Sequence, residues 1–395
     1  MPFISRPDGD VKKVFITDAW LLDQFVGSTL WSWGRNYQGG LGDNSVTSRS
    51  SPVQTVSAGT NWKEIHLGSY HSLSIKTDNA LWVWGYNNHG QLGTNNVTNY
   101  SSPVTTNISG TFWKTCAAGY YHSAAIKTDG TLWMWGYNAD GELGDNTVTK
   151  RSSGVQTVAA GTNWNKISCG GYHTACIKTD GTLWLWGYNN QGQLGDNTRT
   201  HRSSPVQTVA GGTNWLNVSC GGFSTAAIKT DGTLWTWGGN SFGGLGDNTI
   251  VDKSSPIQTI TGGTSWKQVS MGGGNHTGAI KNDGSLWMWG YNLTGSLGDN
   301  TITNRSSPVQ TVSAGTSWKQ VDCGGFGQST GAIKSDGSLW CWGRNVIFGT
   351  STITGQIGTN AALQFYSSPI QTVAAGTTWK QVSVGYNRTA AVKNG

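Results

Sequence analysis

Residues that carry chemistry are few in this chain, and most recur at fixed intervals. Glutamate occurs only at Glu64 and Glu142, while His71, His122, His173 and His276 share one repeat position that Ser224, Ser329 and Arg388 fill in other copies. Four imidazoles would bind a metal only if they converged. The repeat sets them in different structural units, so each is expected to bond its own unit's backbone. Asp129, Asp180, Asp231, Asp283 and Asp336 fall in hairpin turns, where a carboxylate caps the turn, and a glycosidase pair would need two units to break the symmetry. Asp43, Asp145, Asp196, Asp247 and Asp299 lie in Gly-Asp-Asn loops that gather too few acidic ligands for calcium and read as loop caps. The chain contains no Gly-Lys pair of a phosphate loop, no His-Glu-x-x-His and no Cys-x-x-Cys. No catalytic residue, metal ligand or cofactor is assigned, and the protein is not expected to be an enzyme.

The six cysteines behave as small apolar residues. Cys169, Cys220 and Cys323 follow a Trp by five positions, where Met271, Leu67 and Val384 stand in other copies. Neighbouring units lie too far apart at such positions for a disulfide, so buried free thiols are expected. Lys76, Lys127, Lys178, Lys229, Lys281, Lys334 and Lys393 also recur, and read as a solvated rim with covered stems. Before each Ser-Ser pair stands a long cation or a tyrosine: Arg49, Tyr100, Arg151, Arg202, Lys253, Arg305 and Tyr366. Such types dominate binding hot spots, so this ring is the candidate partner-binding rim, against the plainer reading that each side chain lies over the preceding loop.

The elements that must position these residues follow from one stretch, Leu-Trp-Met-Trp-Gly-Tyr-Asn-Ala-Asp-Gly-Glu-Leu-Gly-Asp-Asn from Leu132. Copies begin at Leu30, Leu81, Leu183, Leu234, Leu286 and Leu339, spaced by 51 to 53 residues, a period in the range of propeller blades. Each copy reads as four short strands, in the third copy 154–158, 164–169, 174–178 and 182–186, separated by Gly-containing turns. Trp184 and Trp186 share one strand face and Leu183 and Leu185 the other, so both faces require cover, as radially stacked blades provide. The expected fold is an all-β, seven-bladed propeller. Because the first copy lacks its hairpin partner and 389–393 matches 174–178, a composite blade should close the ring, with the C-terminal strand beside Leu30–Trp33.

The pattern Trp-Lys-x-Val-x-Cys-Gly-Gly-x-His-x-x-x-Ile-Lys-x-Asp-Gly-x-Leu-Trp-x-Trp-Gly-x-Asn-x-x-Gly-x-Leu-Gly resembles the regulator of chromosome condensation repeat family over residues 28–395. The resemblance implies a seven-bladed propeller used as a binding platform. Its members include a guanine nucleotide exchange factor for the GTPase Ran, ubiquitin-ligase modules, and prokaryotic and viral proteins. The blade wedge and basic tail of the exchange factor have no counterpart here. The one sizeable insertion, 346–365, is Thr- and Gly-rich and uncharged.

Uniform repeats, a surface rich in Asn, Thr, Ser and Gly, free cysteines and no secretory signal within the first fifteen residues resemble phage appendage proteins. The function expected is therefore a non-enzymatic virion-associated protein of a phage tail or capsid, located in the virion, which meets other virion proteins or a host-surface glycan. The alternatives are a cytoplasmic interaction scaffold or exchange-factor-like protein, and a carbohydrate-binding propeller. No run approaches the ~18 apolar residues of a membrane span. The net charge of +6 is spread around a ring, so no specific nucleic-acid binding is expected. Residues 1–27 do not repeat. Their Phe15, Trp20, Leu21, Leu22 and Phe25 form the candidate docking segment, or a cap on the propeller's own face, beside a propeller of 28–395.

Overall fold

The Leu-Trp-x-Trp-Gly segments form the third strand of every sheet because their alternation suits a strand covered on both sides. Leu183 and Leu185 are buried on one face, Trp186 is wholly buried on the other, and Trp184 is half-buried at the strand's start. The computed structural model describes residues 27–395, apart from short stretches at 57–59, 109, 111, 160, 261–262, 274, 313–314, 326–327, 347–351, 362 and 374–375. Phe15, Trp20, Leu21, Leu22 and Phe25 lie outside the described residues. The described residues hold 28 strands in seven four-stranded antiparallel sheets.

Blades 1 to 7 begin at the inner strands Trp62–Leu67, Trp113–Ala118, Trp164–Cys169, Trp215–Cys220, Trp266–Met271, Trp318–Cys323 and Trp379–Val384, and blade 3 serves for all: Trp164–Cys169, His173–Lys178, Leu183–Gly187 and Arg202–Gln207, paired in that order. The blade boundary differs from the sequence reading. The strand containing 154–156 pairs with Leu132–Gly136 and closes blade 2, so the Ser-Ser segment is the outermost strand of the blade before it. Propensity located the strand, but the turn after it carries no signal that distinguishes a hairpin from a step between blades.

The hairpin between the second and third strands is set by Asp-Gly. Gly181 adopts φ +80°, a region that penalises any side chain, and a Cβ there would lie 2.1 Å from the Thr213 carbonyl. Asp180 accepts the Thr182 N–H at 2.9 Å, and the other four hairpin aspartates do the same for the residue two positions on.

The ring closes with a composite blade, as expected from the repeat frame. Arg388–Lys393 pairs with Thr29–Gly34 in continuous register, Leu30 opposite Val392, within a sheet ordered Trp379–Val384, Arg388–Lys393, Thr29–Gly34, Arg49–Gln54. No sheet edge at the seam is left for another chain. Blades are then stitched by side chains. The second Trp of each motif donates its indole N–H to a loop carbonyl of the preceding blade, as in Trp186 to Glu142 at 2.8 Å and, across the seam, Trp33 to Gln356 at 2.9 Å. All six cysteines are free and buried in these inter-blade cores.

The repeated histidines complete the stitch differently from expectation. His71, His122, His173 and His276 place Nε2 2.8 to 3.1 Å from the hydroxyl of Ser123, Thr174, Thr225 or Thr330 in the next blade, not on their own backbone. Each hydroxyl spends its only proton on a loop carbonyl, as Thr174 does on Glu142, so the ring must donate and is the neutral Nε2–H tautomer. Burial lowers these imidazoles, to about 3 for His122 and His173 and about 4 for His276. At the seam Arg388 replaces histidine and donates across the junction to the Gly68 and His71 carbonyls. The repeated lysines are not a free rim either. Each described ammonium lies over tryptophan, as Lys178 does at 4.8 Å from Trp164 and 4.7 Å from Trp184.

Candidate functional site

In an antiparallel meander, the turn after the first strand and the loop after the third emerge at the same end. These two segments bring an unbroken aromatic surface to one face of the ring. The position before the repeated His, or before Ser224 in its place, supplies Tyr70, Tyr121, Tyr172 and Phe223, and the position after Trp-Gly supplies Arg35, Tyr86, Tyr137 and Tyr188 in blades 7, 1, 2 and 3. Tyr386 joins them across the seam. Neighbouring rings touch along the whole arc: Tyr386–Tyr70 at 5.3 Å, Tyr70–Tyr121 stacked at 5.8 Å, Tyr121–Tyr137 at 6.3 Å, Tyr137–Tyr172 at 6.3 Å, and Tyr172–Phe223 stacked at 6.1 Å. His89 fills the space between Tyr121 and Tyr137, and Arg35 lies 4.8 Å over Tyr37 and within 6 Å of Tyr70 and Tyr386.

Among the described residues this chain of ring contacts runs from blade 7 through blade 4. At the positions of the inner row, blades 5 and 6 present Asn275 and Gln328, and Gly239 replaces the outer-row tyrosine of blade 4. The inner-row position is therefore aromatic in blades 1 to 4 and an amide in blades 5, 6 and 7, where Asn387 is the third, while the outer row continues as Tyr291 in blade 5, 5.2 Å from Phe242, and Arg344 in blade 6. All the crescent aromatics are half-buried except Tyr37, which is 52% exposed, so their bodies are packed and their edges face solvent. Burial and the neighbouring phenols push Tyr70 up to about 12, and burial first also raises Tyr121, Tyr137 and Tyr172, so these hydroxyls remain uncharged donors.

Tyr120 closes the channel mouth at the centre of this face. Its ring reaches across the axis from blade 2, and its hydroxyl donates to the Gly273 carbonyl of blade 5 at 3.3 Å. Glycine at 171, 222 and 273 makes room, since a Cβ there would come within 2.2 to 2.8 Å of the Tyr120 side chain. Beneath lies a cavity of ≈ 230 Å³ lined by the inner strands, with Ser168, Ser219, Ser270, Ser383, His66 and Asp322 among its walls.

The sequence-predicted rim lies at the outer edge of this same face, at the start of each fourth strand. Arg49, Arg151, Arg202, Lys253 and Arg305 pair with Asp43, Asp145, Asp196, Asp247 and Asp299 of their own blade's loop, at 2.8 to 3.5 Å. Tyr100 accepts from Asn96 at 3.1 Å, and Tyr366 bonds Thr359 at 2.9 Å. The residue types covary: the loop carries Asp wherever the rim carries a cation, and Thr94 or Thr359 wherever it carries Tyr. Each loop is further tied by a buried asparagine, whose amide in Asn138 donates to Asp145, Thr147 and Thr149 while its oxygen accepts the Leu143 N–H. The aspartates are thus loop caps with filled hydrogen bonds. Burial raises the Asp145 carboxyl, but hydrogen bonds from Thr147, Arg151 and Asn138 outweigh it and hold it below the ordinary carboxylate value.

The crescent escaped the sequence reading, although its signal was present. Tyr-His and Trp-Gly-Tyr recur in the chain, but only the antiparallel turn order shows that the two tyrosines of a blade meet.

With the geometry in place, comparison with known proteins is informative. The model of the regulator of chromosome condensation (RCC1) repeat matches residues 28–75, 78–126, 129–177, 180–228, 231–280 and 283–327. The ultraviolet-B receptor UVR8 of Arabidopsis thaliana is 31% identical over 343 residues, covering 84% of this chain and 75% of the receptor. The mitochondrial RCC1 domain-containing protein RUG3 of the same plant is 28% identical over 380 residues, covering 87% and 82%. A crystal structure of yeast RCC1 (Prp20) bound to Kap60 shares the fold with a TM-score of 0.80 at 17% identity, covering 99% of this chain and 96% of that one. These relatives correct the expectation of a virion protein, in function and in location. An ultraviolet-B receptor of a plant and a mitochondrial protein match this chain over 75% and 82% of their own lengths. The uniformity read as phage-like is what closing a ring from seven equal sheets requires, and the free cysteines are core residues.

Proposed function

The chain belongs to the regulator of chromosome condensation repeat family, and from this we propose that it is a non-catalytic platform that binds a protein partner through its aromatic crescent. One observation carries the reading: eleven aromatic or cationic side chains from five adjacent blades form a continuous surface on one face of an otherwise repetitive ring. Tyrosine and arginine supply large contact area with few rotors and a polar edge, which is why they dominate protein interfaces. Support also comes from the fold's use elsewhere, since solved structures of yeast RCC1 concern its binding to Kap60 and to Gsp1p and histones. The rim cations would frame this contact while holding their loops.

A guanine nucleotide exchange factor-like role is the second reading, favoured by the likeness to the yeast RCC1 fold over 99% of this chain. One experiment addresses both. The full chain and a Tyr121→Ser, Tyr137→Ser, Tyr172→Ser variant are compared in quantitative affinity capture, and each is assayed for nucleotide release from small GTPases of the source cell. The platform reading expects a discrete set of proteins lost from the variant. Capture unchanged by the variant would defeat it, and accelerated nucleotide release would establish the exchange-factor reading.

A further inference from the structure

In a ring of near-identical blades, departures from the repeat are informative, and three of them converge. The third residue of the inner strand is Thr115, Lys166 or Asn217 in blades 2 to 4 and glutamine in blades 5, 6 and 7, where it bonds the next blade's backbone in both directions. Gln268 donates to the Val321 carbonyl and accepts the Val321 N–H, both at 3.0 Å, and Gln320 and Gln381 do the same with Val382 and Ile65. In blade 1 this residue is Glu64. Its carboxylate accepts the Cys116 N–H, but it has no amide to offer, and its Oε1 is shielded from solvent without a hydrogen-bond partner. Two positions on, His66 stands where Ser168, Ser219, Ser270 and Ser383 line the channel. Its Nε2 is also shielded, has no hydrogen-bond partner, and lies 3.9 Å from Glu64 Oε2. Facing both is Cys116, where the other blades carry Ile65, Ile167, Val218, Val269, Val321 and Val382.

A carboxylate oxygen, an imidazole nitrogen and a thiol sulfur, none of which recurs at its position in another blade, thus lie within 4.8 Å of one another between blades 1 and 2. We propose that Glu64, His66 and Cys116 form a binding site for one divalent transition-metal ion, zinc by the mixture of donors, with the fourth position open to water in the central channel. Sulfur, nitrogen and oxygen ligands together suit a borderline-soft cation, and bonds of about 2.0 to 2.3 Å would draw the three atoms closer by small side-chain rotations. Three protein ligands with one open position is the arrangement that keeps an exchangeable water. Binding requires Cys116 as thiolate and His66 neutral, and the displaced protons pass to solvent. Asp322, whose carboxyl bonds Ser270 at 3.2 Å and the Val384 N–H at 2.6 Å, is already satisfied and acts on the site only through its charge.

The test is cobalt titration of the chelator-treated full chain, followed by displacement with zinc. The expected result is one equivalent of Co²⁺ with tetrahedral visible bands and a near-ultraviolet sulfur-to-cobalt charge-transfer band. Cys116→Val should remove the charge-transfer band. His66→Ser and Glu64→Gln should each weaken binding by more than about tenfold, the loss that even an outer partner of a metal ligand can cause. All three substitutions install the residue another blade uses at that position, so folding is retained and is checked by the unfolding midpoint. Absence of a sulfur band in the unsubstituted chain would overturn the proposal. So would a cobalt spectrum that survives Cys116→Val, or one abolished by His89→Ala, which would assign the metal to the outer face.

Discussion

The repeated histidine is a structural donor whose neutral form the fold enforces. His173 is buried, bonded to Thr225 at 2.9 Å, and lowered to about 3 by burial, with a smaller effect of His122. Its folded value lies below the ordinary 6.5, so the stability it contributes is fully present above that value and is lost as pH falls from 6.5 toward 3. Replacing it with serine, as blades 4 and 6 do naturally, should cost about 1 kcal/mol or more at pH 7 through the lost bond and packing. At pH 4 the unsubstituted chain is handicapped by a proton taken up only on unfolding, so the difference should shift by about 3 kcal/mol toward the variant. Urea unfolding at both pH values measures this, and a pH-independent difference would refute the assignment. At the rim, Arg202→Ala removes a pair that is one-third exposed on the arginine side, so a stability loss below about 1 kcal/mol is expected. The sequence identified the histidine and rim positions because they recur, but not their partners. A histidine that bonds the next blade's hydroxyl is invisible without the ring, whereas the pairing of Asp with Arg and Thr with Tyr could be read from the residue types.

At the scale of the element, strands and turns were legible because the chain repeats them seven times. Asp-Gly hairpins and the Leu-Trp-x-Trp strand were found close to their observed limits. The blade frame was not, because the connection around 157–163 and the hairpin around 179–181 carry similar turn residues, and only tertiary pairing separates them. Gly181→Ala should cost about 1 to 3 kcal/mol, since it forces a side chain into φ +80° against the Thr213 carbonyl, and thermal unfolding reads the loss directly. The closing strand is a larger matter. Removing residues 386–395 takes away Arg388–Lys393, which is paired on both sides and buries Ala390, Ala391 and Val392. The expected loss exceeds about 5 kcal/mol, beyond almost any single substitution, and should lower the whole unfolding transition rather than fray one blade. An unchanged melting temperature would contradict closure by this strand.

At the scale of the molecule, the ring supplies a rigid, closed support, and its uniformity makes the asymmetry of one face meaningful. Among the described residues the touching aromatics are densest on blades 7 through 4, around a channel mouth sealed by Tyr120, and Tyr291 and Arg344 continue the outer row onto blades 5 and 6. Fold class and ring closure were readable from periodicity, while the virion reading failed because uniform repeats report the geometry of a propeller and not its place in a cell. Partner binding through the crescent is read out by site-specific photo-crosslinking in the source cell. A photoreactive phenylalanine analogue is placed at Tyr137 in the crescent or at Thr179, exposed on the opposite face. Discrete crosslinks to protein are expected from position 137 and none from position 179. Crosslinks confined to position 179, or equal from both, would contradict binding through the crescent.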